Sequence, residues 1–127
     1  MSIINLTQHV ASETQTEAGV FEPSTINKKK VKNLLLFEVA PDRNELISRA
    51  VVLAAIAGEE KADAAMIGGA GYLLPYLEEI LEDHGITALH SFSKRVSIEE
   101  VVDGKTIKRA VFEHRGWVGG KTHSMFV

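Results

Sequence analysis

Residues 62–95 read ADAAMIGGAGYLLPYLEEILEDHGITALHSFSKR, and this stretch decides the fold. Ala62 to Ile67 is a short apolar run broken only by Asp63. Such a run suits a strand covered on both faces, as in a parallel sheet. Gly68, Gly69 and Gly71 follow with Ala70 among them, and they allow a sharp turn and a close backbone approach. A helix is expected from about Gly71 to His84. Leu73, Leu77, Ile80 and Leu81 share one face, with Leu74 beside them, while Glu78, Glu79, Glu82 and Asp83 take the other. Pro75 lies in the first turn, where its missing N–H costs little. Gly85 stands where a left-handed C-cap belongs. Ile86 to Phe92 is expected as a second strand, with Ser91, Ser93, Lys94 and Arg95 gathered in a polar turn at its end. Strand, glycine loop, helix and strand over about 30 residues form a βαβ crossover, the unit of parallel sheets.

Outward from this unit, the N-terminal side supplies a strand and three helices. Ser2 to Leu6 is short and apolar around Asn5, and Thr7, Gln8 and His9 end it. Ser12 and Gln15 have the spacing of a capping box, which predicts a helix over Glu13 to Ala18 closed by Gly19. Ser24 or Thr25 caps a helix to about Leu36, carrying Lys28, Lys29, Lys30 and Lys32. That lysine run is either a solvated helix face or a patch turned towards phosphate. Pro41 sets its predecessor extended. Asp42 then caps a helix from Arg43 to about Lys61. Its stripe of Leu46, Ala50, Leu53, Ala54 and Ala57 is widened by Ile47, Val51 and Ile56, so burial on more than one side is expected, in the core or at a subunit contact.

On the C-terminal side, Val96–Val102 and Lys105–Glu113 flank Asp103-Gly104, a strong hairpin dipeptide. Ile107, Ala110 and Phe112 read as core-directed, and Trp117 as core or as a stacking surface. Residues 118–127 read as a loose tail. The expectation is one α/β domain of 127 residues with a mostly parallel sheet, flanking helices and a C-terminal β-hairpin.

Composition narrows the classes. The chain has no cysteine, which removes disulfides and thiolate metal sites and fits the cytoplasm. No apolar run approaches a membrane span, and no secretory signal is visible. The histidines lack ligand-like spacing, so no metal and no cofactor are expected. The net charge is −3, and no basic recognition helix is present, which argues against duplex DNA. Residues 1–83 hold 7 Lys/Arg against 13 Asp/Glu, whereas residues 84–127 hold 7 against 4 and four of the five histidines. The C-terminal third therefore either faces an anion or only looks basic beside two acidic helices.

In an open α/β sheet, ligands bind beyond the carboxyl ends of the strands, where the strand order reverses. That rule selects Asn5, Thr7 and His9, then Gly68, Gly69, Ala70 and Gly71, then Ser91, Ser93, Lys94 and Arg95. A helix N-terminus after the glycines favours an anion, and Lys94 and Arg95 add positive charge. The glycine loop matches neither a dinucleotide fingerprint nor a P-loop, and no GxSxG elbow is present. His9 is a candidate for proton transfer or a plain surface histidine.

Taken together, NLTQH after the first strand, QTEAGV, a strand ending in IGG, GITALHSFSKRVSIEE and VVDGKTIKRAVFEHRGW resemble a known group. It is the small stand-alone CARF-like (CRISPR-associated Rossmann-like) ring nucleases found beside type III CRISPR systems and in prophages. The resemblance implies a Rossmann-like homodimer that binds a cyclic oligoadenylate, an antiviral defence signal. It implies metal-independent cleavage, in which the ribose 2′-OH attacks the neighbouring phosphodiester. Lys94 and Arg95 would stabilise charge, His9 would act as acid or base, and Ser91 or Ser93 would hold a phosphate oxygen. Backbone N–H groups at Gly69 to Gly71 would cradle a phosphate. Two other readings stand beside it: a non-catalytic sponge or sensor for a cyclic nucleotide, and an interaction protein dimerising through the helix at residues 43–61.

Overall fold

The computed structural model describes residues 1–119. Its order is β1 (Ile3–Leu6), α1 (Glu13–Glu17), β2 (Val20–Phe21), α2 (Thr25–Leu34), α3 (Arg43–Glu59), β3 (Ala64–Ile67), α4 (Leu74–Asp83), β4 (Thr87–Val102) and β5 (Lys105–Gly119). The sheet runs β2-β1-β3-β4-β5. Its first four strands are parallel, and β5 is antiparallel to β4. The fold is thus α/β with a mostly parallel five-stranded sheet, helices and a C-terminal hairpin.

Strand alternation sorts the core into two layers. Ile4, Leu6, Ala65, Ile67 and Ala88 meet α2, α3 and α4 in the larger one. Ile3, Ala64, Met66 and Leu89 meet Val20, Ala11 and Trp117 in the smaller one. β1 and β3 are buried along their whole length, which explains their unalternating apolar sequences. Asp42 caps α3 by accepting from Glu45 N at 2.8 Å. The core side of α3 is the expected stripe with Ile56, while Val51 is 44% and Val52 41% exposed.

Three expectations are corrected and one element is new. The glycines are followed by a turn, and the helix begins only at Leu74. Val20–Phe21 is a parallel strand, too short for periodicity to reveal. No turn occurs at residues 91–95, because β4 continues to Val102. That stretch holds no Gly, Pro, Asn or Asp to reverse the chain, and its polar residues sit on a ribbon with solvent beside it. Finally, Ile107 and Phe112 are 46% and 71% exposed, and Ala110 is exposed too, so this part of β5 is not core-directed.

The hairpin is therefore a long arm. β3 pairs with β4 only as far as Leu89, whereas β4 pairs with β5 out to Val102↔Lys105. Asp103 and Gly104 close it with φ of 51° and 77°, the left-handed pair that a two-residue hairpin turn demands. Val118 and Gly119, expected in the tail, pair with His90 and Leu89. The rest of that tail, residues 120–127, lies outside the described residues.

Candidate functional site

The strand order reverses between β1 and β3, since β2 lies on one side of β1 and β3 on the other. Two hollows open there, one on each side of the loop Thr7–Val10. The first is about 280 Å³ and is lined by that loop with Gln15, Gly68, Gly69, His90 and Ser91, among others. The second, also about 280 Å³, is lined by the same loop with Thr25, Lys28, Lys29 and Lys32.

Asn5 builds the loop. It is 2% exposed, and its amide is fully engaged. Nδ2 donates to His9 O at 2.7 Å and to Glu22 Oε2 at 3.0 Å. Oδ1 accepts from Thr7 N at 2.9 Å and from Thr7 Oγ1 at 2.7 Å. Asn5 thus shapes the site from beneath and has no group left for a ligand. Glu22 extends the same network, accepting from Ala11 N at 2.9 Å and pairing with Lys28 Nζ at 3.2 Å. Burial pushes the Glu22 carboxyl up, but the hydrogen bonds from Ala11 and Asn5 and the Lys28 ammonium outweigh it and hold it below its ordinary value.

The glycines divide by role. Gly69 has φ +119°, a conformation that L side chains rarely adopt. A Cβ on Gly68 would lie 3.4 Å from Thr7 Cγ2, an ordinary contact, so the approach of the two loops does not itself demand a glycine there. Ala70 and Gly71 line neither hollow. The N-terminus of α4 is displaced from the site and has Pro75 in its first turn, which removes a donor.

Ser91 is held as a network centre. Gln15 Nε2 donates to Ser91 Oγ at 3.1 Å. Ser91 Oγ is 2.6 Å from His114 Nδ1 and 3.3 Å from Ser93 Oγ. His114 N donates to Thr14 Oγ1 at 3.0 Å, and its ring lies 4.2 Å from that of Trp117, centroid to centroid. Burial lowers the His114 pKa, which favours the neutral ring. His90 Nε2 sits 2.7 Å from Glu78 Oε1 across the same strand.

The expected site residues therefore separate. Thr7, His9, Gly68, Gly69 and Ser91 come together, and Asn5 and Ser93 support them. Lys94 and Arg95 are exposed on the arm and line neither hollow. At the rise of a strand they lie about 10 and 13 Å beyond Ser91. The cations at the switch point are instead Lys28, Lys29 and Lys32, and the partner of Ser91 is His114. The lysine run is visible in the sequence. Its position is not, because α2 reaches the site only through the placement of β2.

A family model described as Uncharacterized protein MJ1673 family matches residues 1–118. The chain belongs to that family. The match takes in both hollows and the whole arm, so the arm is part of the MJ1673 family domain and not an appendage to it. No curated protein and no solved structure matches the chain. Among the described residues, no group of three or more histidine or carboxylate side chains is placed to hold a metal ion. No helix among them is long and apolar enough to cross a membrane.

Proposed function

We propose that this MJ1673-family protein binds a cyclic oligoadenylate at the β1–β3 switch point and cleaves it without a metal. The observation that carries the reading is the pairing of two hollows across one pinned loop, one cationic and one polar. Phosphates lie against Lys28, Lys29 and Lys32, where unlike charge favours them. A nucleoside enters the hollow formed by His9, Gly68, Gly69 and Ser91. The β2-β1-β3-β4 order supports a Rossmann-like sheet of the CARF kind, and a two-fold ring would take one half-site from each subunit of a homodimer. The protein would then act in the cytoplasm to switch off or evade type III CRISPR signalling.

Cleavage follows from these groups. The ribose 2′-O attacks phosphorus, the P–O2′ bond forms and the P–O5′ bond breaks, leaving a 2′,3′-cyclic phosphate and a 5′-OH. The 2′-OH proton passes to Ser91 Oγ as Ser91 gives its own to His114 Nδ1. His9, as general acid, supplies the proton to the leaving oxygen. Lys28 and Lys32 stabilise the charge gathering on the phosphorane. Lys94 and Arg95 have no part in this arrangement.

The test is incubation with cyclic tetra- and hexa-adenylate in chelator, followed by mass spectrometry. Linear products ending in a cyclic phosphate are expected, with their rate lowered at least tenfold by His114→Gln. A second reading, a sponge that binds without cutting, is favoured by one detail: the backbone of His9 is pinned, but no hydrogen bond among the described residues holds its ring. Intact nucleotide co-eluting with the protein would select the sponge. Neither binding nor cleavage would overturn both readings.

A further inference from the structure

The arm poses a physical problem. From Ser93↔His114 to Val102↔Lys105 it is a ribbon of two strands only, about 33 Å long at the usual strand rise. An isolated two-stranded ribbon is marginal in water. It carries Phe112 at 71%, Val101 at 76% and Ile107 at 46% exposure. Among the described residues, β5 ends the sheet, so its outer edge has no strand beside it.

We infer that two copies of this chain pair edge to edge through β5, antiparallel, about a two-fold axis at Val111. The hydrogen-bonding phase comes from His114, whose N–H goes not to β4 but to Thr14 Oγ1 of α1, so the free edge ends there and the pairing is centred below it, on Arg109–Glu113. Strand alternation then aims the backbone groups of Phe112, Ala110 and Lys108 outward as well. The charges select the register. With the axis at Val111, Arg109, which pairs with Glu100 in its own chain at 2.6 Å, lies opposite Glu113 of the second copy, which pairs with its own Arg115 at 2.8 Å, twice, and no like charges meet. An axis at Arg109 sets Arg109 against itself, and one at Glu113 sets Glu113 against itself. An axis at Ala110 opposes Lys105 and Arg115, and one at Phe112 opposes Arg109 and Arg115. Moving the axis further along the arm also brings like charges together: Lys108 meets itself about Lys108, and Lys105 meets Arg109 about Ile107. Like charges directly opposite are destabilising, so the edge discriminates by charge.

The Val111 register also sets Phe112, which the monomer leaves bare, against the second copy. Phe112 lies beside Ala110 of the second copy on one face, and the reciprocal pair repeats it. The two Val111 side chains meet at the axis. The lysines and arginines along β5 would repel other strand edges, which is how exposed edges avoid indiscriminate pairing. The pairing draws on the arm alone and holds whether or not the hollows take a cyclic nucleotide.

The chain has no cysteine, so one introduced thiol reports on the axis. Val111 forms the non-hydrogen-bonded pair at the axis, with a Cα separation of about 4.5 Å, within the span of a disulfide. Val111→Cys is expected to give a disulfide-linked dimer under mild oxidation, whereas Val101→Cys at the arm's tip stays a free thiol. By light scattering, the wild type is expected as a dimer, Arg109→Glu as a monomer, and Arg109→Glu with Glu113→Arg as a dimer again. Circular dichroism verifies that each variant is folded. A monomeric wild type, whether or not it recruits a different protein, would overturn the inference. So would cross-linking at position 101 instead of 111, or an Arg109→Glu variant that is still a dimer.

Discussion

At the scale of single residues, the site is held by groups that do not touch the hollows. Asn5 is the clearest, since four hydrogen bonds from one buried amide define the path of Thr7–Val10. Asn5→Ala is expected to cost about 1–3 kcal/mol in urea unfolding, because it leaves buried partners unsatisfied. Gly69→Ala separates backbone from packing: its Cβ would meet only Leu35 Cδ2, at an ordinary 3.8 Å. The expected loss of about 1–2 kcal/mol is therefore conformational and comes from φ alone. Glu22 links the same loop to pH. Its folded pKa lies below the ordinary glutamate value of 4.5, so its stabilising contribution is full above that value and is lost as pH falls through the folded one. Glu22→Gln is expected to flatten the acid limb of a stability–pH curve, and an unchanged limb would remove Glu22 from the account.

At the scale of elements, the arm and the sheet behave as different materials. The sheet carries buried strands on two covered faces, and the arm carries pairs open to solvent. Gly104→Val forces a β-branched residue into φ 77° at the turn. Its expected effect is local: amide exchange rises tenfold or more over residues 96–111, while the thermal midpoint of the core moves little. A fall of the whole molecule's midpoint would instead make the arm part of the cooperative core. α1 ties the two parts together, through Thr14 and Gln15 to His114 and Ser91. His114 has its folded pKa lowered by burial, so charging it in acid costs desolvation at the arm's root and favours the unfolded chain. The arm's root should therefore loosen in mild acid, read as faster exchange near residues 113–117 that His114→Gln removes.

At the scale of the whole molecule, the arm makes stability a matter of concentration. A dimer that forms only from folded chains gains from mass action, so the midpoint is expected to rise with protein concentration. Arg109→Glu should remove that dependence while leaving the affinity of each half-site for a single adenylate unit unchanged. Lys28→Ala with Lys32→Ala should do the reverse, weakening nucleotide binding at least tenfold and leaving the dimer intact. If each pair of substitutions changed both properties, the site and the arm would be one unit.

What the sequence determined by itself are the local devices. Asp42 as a cap, a cap at Ser24 or Thr25, the capping box at Ser12 and Gln15, Gly85 after α4 and the Asp103-Gly104 turn are each legible because side chain and backbone interact within four residues. The buried strands β1 and β3 were legible for the same kind of reason, as unalternating apolar runs. Only the tertiary structure decided what lies at the switch point. Lys28 to Lys32 and Ser91 are far apart in the chain, and it is the β2-β1-β3 order that brings them to one loop. The pairing of Ser91 with His114 and the exile of Lys94 and Arg95 both follow from β4 running straight past the sheet. Nothing local forbids a turn at residues 91–95 outright, and the fourteen rungs that β4 forms with β5 outweigh any local preference for one.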